Sequence, residues 1–492
     1  MKINVLILFL FFQTLSMHSL DQEITYEKFK TIDNYIKKQQ KYARIPGLVL
    51  IIVNGKSSSF IKKYGEFGSS FTEDFSGKYL FEAGAISNSL IGLAILQFIS
   101  EGELDLNHSV AEYLPWFKMA YYPEQTNPTL NYLKHFKFVP SALKNKKTAN
   151  IKIKHLLRHT SGITTPYYPY LSLNKKENDK KTIQEFMRTP LSWQPGVRYA
   201  YSNFNYIVLA WIIEAVSNKN FQDYMNNDFF NFLDLRQMFF STDNYPGLPV
   251  LDNYKLGFLN MHRRKTRKYL SIPTADLILT PDSVRDYLEI QLGLTEKQEY
   301  EQIVRMSQED DYFYSFGWHK INLGNKHILS HFGHTRHHSA YLEINISEQI
   351  GMGILANRNT HYIKNIGRGI INSIRNQGRI PGKSFELDKT LDVCCSILLI
   401  ILILVFFLQL KLFKKIKRQR IVFFKYRLIK KGLIFYIIGL LLVFLYLFFL
   451  PQIFLFVSWE VVLTLGPLSL TAVVFFSIFL ILNTAIILYL KS

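Results

Sequence analysis

Phe81-Glu82-Ala83-Gly84-Ala85-Ile86-Ser87-Asn88 begins an apolar stretch, and the whole of Phe81–Ser100 reads as one helix ending near Gly102. Upstream, Tyr26, Phe29, Ile32, Tyr35 and Ile36 recur at helical spacing, so about 22–42 is expected to be an amphipathic helix. Gly47–Val53 is β-rich, Asn54-Gly55 suits a tight hairpin turn, and Ser57–Tyr64 returns as a second strand. Downstream, residues 117–150 and 165–190 are polar, Lys-rich and punctuated by Pro, which reads as loops. Phe204–Val216 reads as a helix started by Asn203. Tyr341–Ile346 and Gly351–Ala356 alternate as strands about a short Ser347-Glu348-Gln349 turn, and His361–Arg375 reads as a closing helix. A helix, a hairpin, a long helical insert, a second hairpin and a last helix give an α+β fold, an antiparallel sheet flanked by helices with a mostly helical subdomain.

With 492 residues the chain exceeds one ordinary core, and 48% hydrophobic against 20% charged residues excludes a disordered chain. The net charge of +20 is uneven, because from Leu391 onward 11 Lys/Arg face only Asp392 and Glu460. The milder basic balance of the remainder suits an anionic surface and calls for no nucleic acid. Cys394 and Cys395 are the only cysteines, so the large domain has no disulfide, Cys-based zinc site or Cys nucleophile.

The two ends set an expected topology. Lys2, the apolar run Ile3–Phe12 and a short polar segment have the parts of a secretory signal over residues 1–19. Residues 20–385 then form the extracytoplasmic domain. Residues 386–492 form a membrane domain with three apolar runs at about 393–410, 432–457 and 468–490, each near the ~20 residues that span a bilayer. Lys411–Lys431 holds ten Lys/Arg and no acid, which places it in the cytoplasm.

Several segments, in this order, resemble the serine β-lactamase and penicillin-binding-protein-like family, in its class C β-lactamase and D-alanyl-D-alanine carboxypeptidase group. They are Phe81–Asn88, Glu101-Gly102-Glu103-Leu104-Asp105-Leu106, His155-Leu156-Leu157-Arg158-His159-Thr160-Ser161-Gly162, Gln194-Pro195-Gly196, Tyr199-Ala200-Tyr201-Ser202-Asn203, Tyr314-Ser315-Phe316-Gly317-Trp318 and His331-Phe332-Gly333. An exported domain followed by three spans is also similar in architecture to the membrane-bound prodrug-maturation peptidases of the colibactin type. The resemblance implies acyl transfer by a Ser-x-x-Lys motif, in which a neutral Lys takes the proton of the attacking Ser. It also implies a Tyr-x-Asn motif that relays a proton and holds substrate, and a Lys/His-x-Gly strand beside an oxyanion hole.

The chain departs from that pattern at the decisive place. The nucleophile position is Ala85 and the Lys position is Asn88; an alanine has no nucleophilic atom, and an amide is no base near neutral pH. Tyr201, Asn203, His331 and Gly333 are retained, so no complete catalytic set is expected. Past Gly333 the glycines usual in the family are replaced, and a His334 side chain is expected where an acyl group would approach. Ser87 should face away from the cleft and Ser89 should lie about 6 Å deeper along the helix, neither with a Lys three residues on. Arg158 and His159 belong, by resemblance, to a structural turn. Six histidines between His319 and His338 suggest a polar or pH-sensitive rim in preference to a metal site, and no metal or cofactor is expected. Asn203 could persist as a helix cap or as a ligand contact, and His331 as a packed strand residue. The expected function is a membrane-anchored pseudoenzyme that binds a peptide, a peptidoglycan fragment or a partner protein. The alternative is an active membrane serine hydrolase, of D-amino-acid peptidase or amidase type, with a non-standard nucleophile.

Overall fold

The computed structural model describes residues 26–489 except 56–57, 68–78, 124–146, 165–186, 189, 241–250, 252, 265–275, 296, 298–299, 324–325, 336, 376–381, 383–384, 419–437 and 439–465. The expected signal, most of the loops at 117–150 and 165–190, the second apolar run and most of the basic loop therefore lie outside the described residues.

The elements used below are helix α1 (Tyr26–Tyr42), strands β1 (Gly47–Asn54), β2 (Ser58–Gly65) and β3 (Phe81–Glu82), helices α2 (Ser87–Ser100) and α3 (Asn203–Ser217), strands β4 (Met238–Phe240), β5 (Asn253–Gly257), β6 (Asn260–Arg264) and β7 (Leu277–Leu279), and helices α4 (Pro281–Gln291) and α5 (Glu301–Glu309). Strands β8 (Tyr314–Ser315), β9 (Trp318–Leu323), β10 (Lys326–His334), β11 (Ser339–Asn345) and β12 (Ile350–Ala356) follow, then helices α6 (Ile363–Ile374), α7 (Leu387–Arg418) and α8 (Leu468–Tyr489).

Seven antiparallel strands form the main sheet in the order β8-β9-β10-β11-β12-β1-β2, so the N-terminal hairpin closes onto the C-terminal one through β1 and β12. Alternation of side chains divides β1 between two cores. Leu48, Leu50 and Ile52 pack with Ile32 and Ile36 of α1 and Ile363, Ile366 and Ile370 of α6. Val49, Ile51 and Val53 face the helical side, where α2, α3 and α4 contribute most of the larger core. The expected α+β class, antiparallel sheet and flanking helices are thus observed. The single helix expected over Phe81–Ser100 is instead a short strand β3, a 3₁₀ turn at Gly84–Ile86 and then α2. Gly84 has φ +53, and this break turns the chain from the sheet into α2.

α7 contains the candidate span Leu387–Lys411, whose most apolar 18 residues have a mean hydropathy of 3.1; among the described residues it is the one helix long and apolar enough to cross a membrane. The first expected span lies within it, and the third corresponds to α8. The two helices run parallel: the Ser469 hydroxyl donates to Asp392 at their starts, across 2.6 Å, and Phe406 meets Phe476 and Phe479 further along. The start of α7 is fastened to the domain by a buried Arg358–Glu386 ion pair at 2.9 Å.

Candidate functional site

Ala85 lies in the 3₁₀ turn at the head of α2, with β10 lying across that turn. A Cβ added to Gly84 would lie 2.5–2.8 Å from the backbone of His334, and one added to Gly333 would collide with Ala83 O. Bare glycines at both positions allow the strand bearing His331 to close on the turn. The β8–β9 turn seals the other side. Phe316 and Gly317 both have positive φ, and a Cβ on Gly317 would strike the backbone of Asn88 and Ser89. The Gly317 N–H donates to the phenol of Tyr206 at 2.7 Å.

Four of the expected site residues converge around this turn. The amide Nδ2 of Asn88 donates to Tyr201 Oη at 3.0 Å and reaches Tyr314 Oη at 3.4 Å. His331 is buried, with Nδ1 3.0 Å from Gly317 O. A carbonyl only accepts, so Nδ1 carries the proton and the lone pair is on Nε2. The His331 ring lies 6.3 Å from that of Tyr201 and 5.9 Å from that of Tyr314, centroid to centroid. Gly333 sits on the same face of β10 as His331, two residues on.

Asn203 is placed differently from expectation. The helix N-cap is Ser202, which makes no side-chain capping bond, and Asn203 is the first residue of α3. Its Oδ1 is buried without a hydrogen-bond partner, as is Oδ1 of Asn88. Asn203 therefore does not cap the helix, and two carbonyl oxygens at the site are unpaired. Buried acceptors of this kind are costly unless something donates to them.

The His334 expectation is also corrected. On a strand, residues 331 and 333 share one face and 332 and 334 the other. The His334 ring accordingly stacks on Phe332 at 5.4 Å and sits 5.2 Å from His361, away from the Ala85 turn. His337 is turned onto the buried Glu82 carboxylate, at 3.1 Å. Ser87 is fully buried, and Ser89 donates to Ile86 O at 2.9 Å while accepting from Tyr287 Oη at 2.9 Å. Among the described residues no three His, Cys, Asp or Glu side chains gather as metal ligands.

His159 is the site residue that motif reading left as a mere turn. It has φ +52, is 1% exposed, and its ring lies 4.3 Å from that of Tyr201 and 4.5 Å from that of Tyr314. Its Nδ1 accepts from Asn205 Nδ2 at 2.9 Å, while Ser161 Oγ donates to Asn205 Oδ1 at 2.6 Å. The His159–Gly162 segment thus clamps the start of α3 and fixes Tyr201 in front of Asn88.

The electrostatics of the cluster are those of a neutral site. Burial first, and the neighbouring His319 second, hold both His159 and His331 well below the ordinary imidazole value. Burial likewise takes His319 down to about 4 and pushes the Tyr314 phenol well up. With Asn in the family's lysine position, residue 88 contributes a neutral amide in place of an ammonium. A hollow of about 600 Å³ is lined by Leu96, Leu106, Arg158, Asp310, Tyr312 and Phe316, beyond the β8–β9 turn that closes the site.

The comparisons with known proteins agree with this geometry. The Beta-lactamase family model matches residues 32–365. "Protein flp" of Staphylococcus aureus is 24% identical over 380 residues, covering 75% of this chain and 71% of that protein. The octameric penicillin-binding protein homologue of Pyrococcus abyssi superposes with a TM-score of 0.57 at 17% identity, over 71% of this chain and 78% of that one. D-alanine carboxypeptidase AmpC of Burkholderia cenocepacia superposes at 0.53 and 16% identity, over 71% and 99%. The matched segment holds the whole seven-stranded sheet and every residue of the cluster, so the chain belongs to the beta-lactamase family.

Proposed function

We propose that this chain is a membrane-anchored member of the family that binds a peptide or peptidoglycan fragment without acylating it. The observation that carries the reading is Ala85 at the head of α2, followed by an Asn88 amide that is bonded to Tyr201. The family's covalent cycle needs a hydroxyl and a base to take its proton, and neither position has the required atom. What survives is a buried polar frame, the unpaired Oδ1 atoms of Asn88 and Asn203 beside Tyr201 and Tyr314, which a ligand would reach only as the site opens. These are acceptors suited to the N–H groups of a peptide ligand. The penicillin-binding and D-alanine carboxypeptidase neighbours favour a D-alanyl peptide among such ligands.

Anchoring is supported by α7 and α8. Because they start side by side and run in the same direction, Arg418 lies about 39 Å along α7 from the level of Ser469, the rise of the 26 residues after Asp392, and that distance is to be recovered before α8 begins. The apolar run at 432–457 is long enough to make that return as a second crossing. The ten Lys/Arg between Lys411 and Lys431 assign the far side to the cytoplasm and the domain to the outside.

The test is intact-mass analysis of the folded chain after a fluorescent penicillin and, separately, a fluorophosphonate, with calorimetry against a D-alanyl-D-alanine peptide. The reading expects no adduct and measurable peptide binding. A stoichiometric adduct overturns it, and peptide mapping would then name the nucleophile.

A further inference from the structure

The geometry points to the tip of the β5–β6 hairpin as a second membrane contact, with Phe258 and Leu259 seated in the headgroup–acyl boundary of the bilayer beside α7. This inference rests on the anchoring reading above.

The hairpin pairs Gly257 with Asn260, leaving Phe258-Leu259 as a two-residue turn. Both have positive φ, +52 and +62, as a type I′ turn requires. Asn and Gly are the residues that take this geometry easily; two large apolar side chains carry strain there. Both are nevertheless exposed, Phe258 by 45% and Leu259 by 49%. A water-facing tip would lose nothing with Asn-Gly, so the apolar pair calls for an apolar surrounding.

The position of the tip says what that surrounding is. The Phe258 and Leu259 N–H groups donate to the two oxygens of Asp392, at 2.9 and 2.8 Å. Asp392 is fully buried and also accepts from Ser469, so one carboxylate ties the turn to the starts of both α7 and α8. Gly257 permits this approach, since a Cβ there would lie 2.5 Å from Leu468 Cβ. Arg44 Nη1 donates to Leu259 O from the other side. Asp392 immediately precedes the apolar run of α7, on which Val393, Ile397, Ile400 and Ile401 are exposed. The side chains of Phe258 and Leu259 therefore continue that apolar surface at its outer rim, the depth at which aromatic residues partition into membranes. Lys255, Arg263 and Arg264 are the only residues of the hairpin with a formal charge, and all are cationic, which suits anionic headgroups.

Phe258→Trp in the full chain, reconstituted in vesicles containing bromine-labelled phosphatidylcholine, tests the arrangement, with Leu259→Trp as a second reporter. The five native tryptophans are subtracted through the wild-type chain. The added indole is expected to be blue-shifted, quenched by the brominated lipid and shielded from aqueous acrylamide by severalfold. Quenching by acrylamide alone would put the tip in water and overturn the inference. Shielding from both quenchers would mean a protein surface, such as a second copy, covers the tip, and overturns it equally. A chain that fails to float with the vesicles overturns the anchoring reading, and this inference with it; a chain that floats with an unquenched indole overturns only the hairpin contact.

Discussion

The Asn88 amide donates to the Tyr201 phenol across 3.0 Å, so the side chain that replaces the family's lysine still meets its neighbouring tyrosine. The frame of the site has outlasted the atoms that would react in it. His159, Asn205 and Ser161 hold the tyrosine from below, and Gly317 and His331 close the side.

It follows that Ala85→Ser with Asn88→Lys should recover slow acylation by penicillin. The introduced amine would stand where the Asn88 amide now bonds to Tyr201, and a placed base contributes about 10²–10⁴-fold. The double variant should therefore acylate ~10²-fold faster than Ala85→Ser alone, the low end of that range. Asn88→Lys alone should show no adduct. Time-resolved intact mass measures all three. A folded double variant without adduct would show that the frame itself has drifted, and the cause would not be His334 or His337, whose side chains point elsewhere.

Ser89 is structural on this geometry. Its hydroxyl hydrogen is committed to Ile86 O and its oxygen accepts from Tyr287. Ser89→Ala leaves the buried Tyr287 hydroxyl without that acceptor, which should cost about 1–3 kcal/mol. Denaturant melts would register the loss, while the response to covalent probes should match wild type. A change in labelling with unchanged stability would identify Ser89 as the rebuilt nucleophile.

The fold was legible where periodicity and turn residues act locally: α1, the β1–β2 hairpin, the β11–β12 hairpin and α6 are all near their expected positions. β10, which carries His331 and Gly333, has no clean alternation in Ser330-His331-Phe332-Gly333-His334, and its identity depends on pairing with β9 and β11. Motif order supplied Ala85, Asn88, Tyr201 and His331. It could not supply the direction of the His334 side chain, because a one-residue difference along a strand reverses the face. His159 was invisible for another reason: its part is to contact Tyr201 from a separate segment, a long-range packing fact with no local pattern.

The junction at Glu386 gives a test of where the beta-lactamase domain ends. The side chains of Arg358 and Glu386 are 2% and 5% exposed and 2.9 Å apart, and Thr360 also reaches Glu386. A fragment ending at residue 385 removes the carboxylate and leaves a buried guanidinium. Breaking one side of such a pair costs about 3–5 kcal/mol. The fragment 20–385 should thus melt several degrees below 20–391, and Glu386→Gln in the full chain should be destabilised in the same direction. Equal melting temperatures for the two fragments would mean that the pair contributes nothing.

Acid stability should depend in part on His338, one of several histidines that burial holds neutral in the folded protein. Its ring is fully buried behind the Ala85 turn, and its Nδ1 accepts from the Glu82 N–H at 3.0 Å, so the folded protein holds it neutral. Burial brings it down to about 4 from an ordinary 6.5; His337 works in the same direction and Glu82 against. Between those values the unfolded chain holds a proton that the folded chain lacks, so stability rises with pH across the window. Its contribution is complete above about 6.5 and is lost as pH falls toward 4, with a limiting slope of about 1.4 kcal/mol per pH unit. The Glu82 carboxyl is held below its ordinary 4.5, where burial is outweighed by the His337 hydrogen bond, the nearby histidines and Thr335, so its own loss falls beneath this window. His338→Asn should therefore be less stable than wild type at pH 7.5 yet lose less on acidification to pH 5. Melting temperatures of both proteins at half-unit intervals decide it, and parallel curves would show that His338 does not set the acid limb.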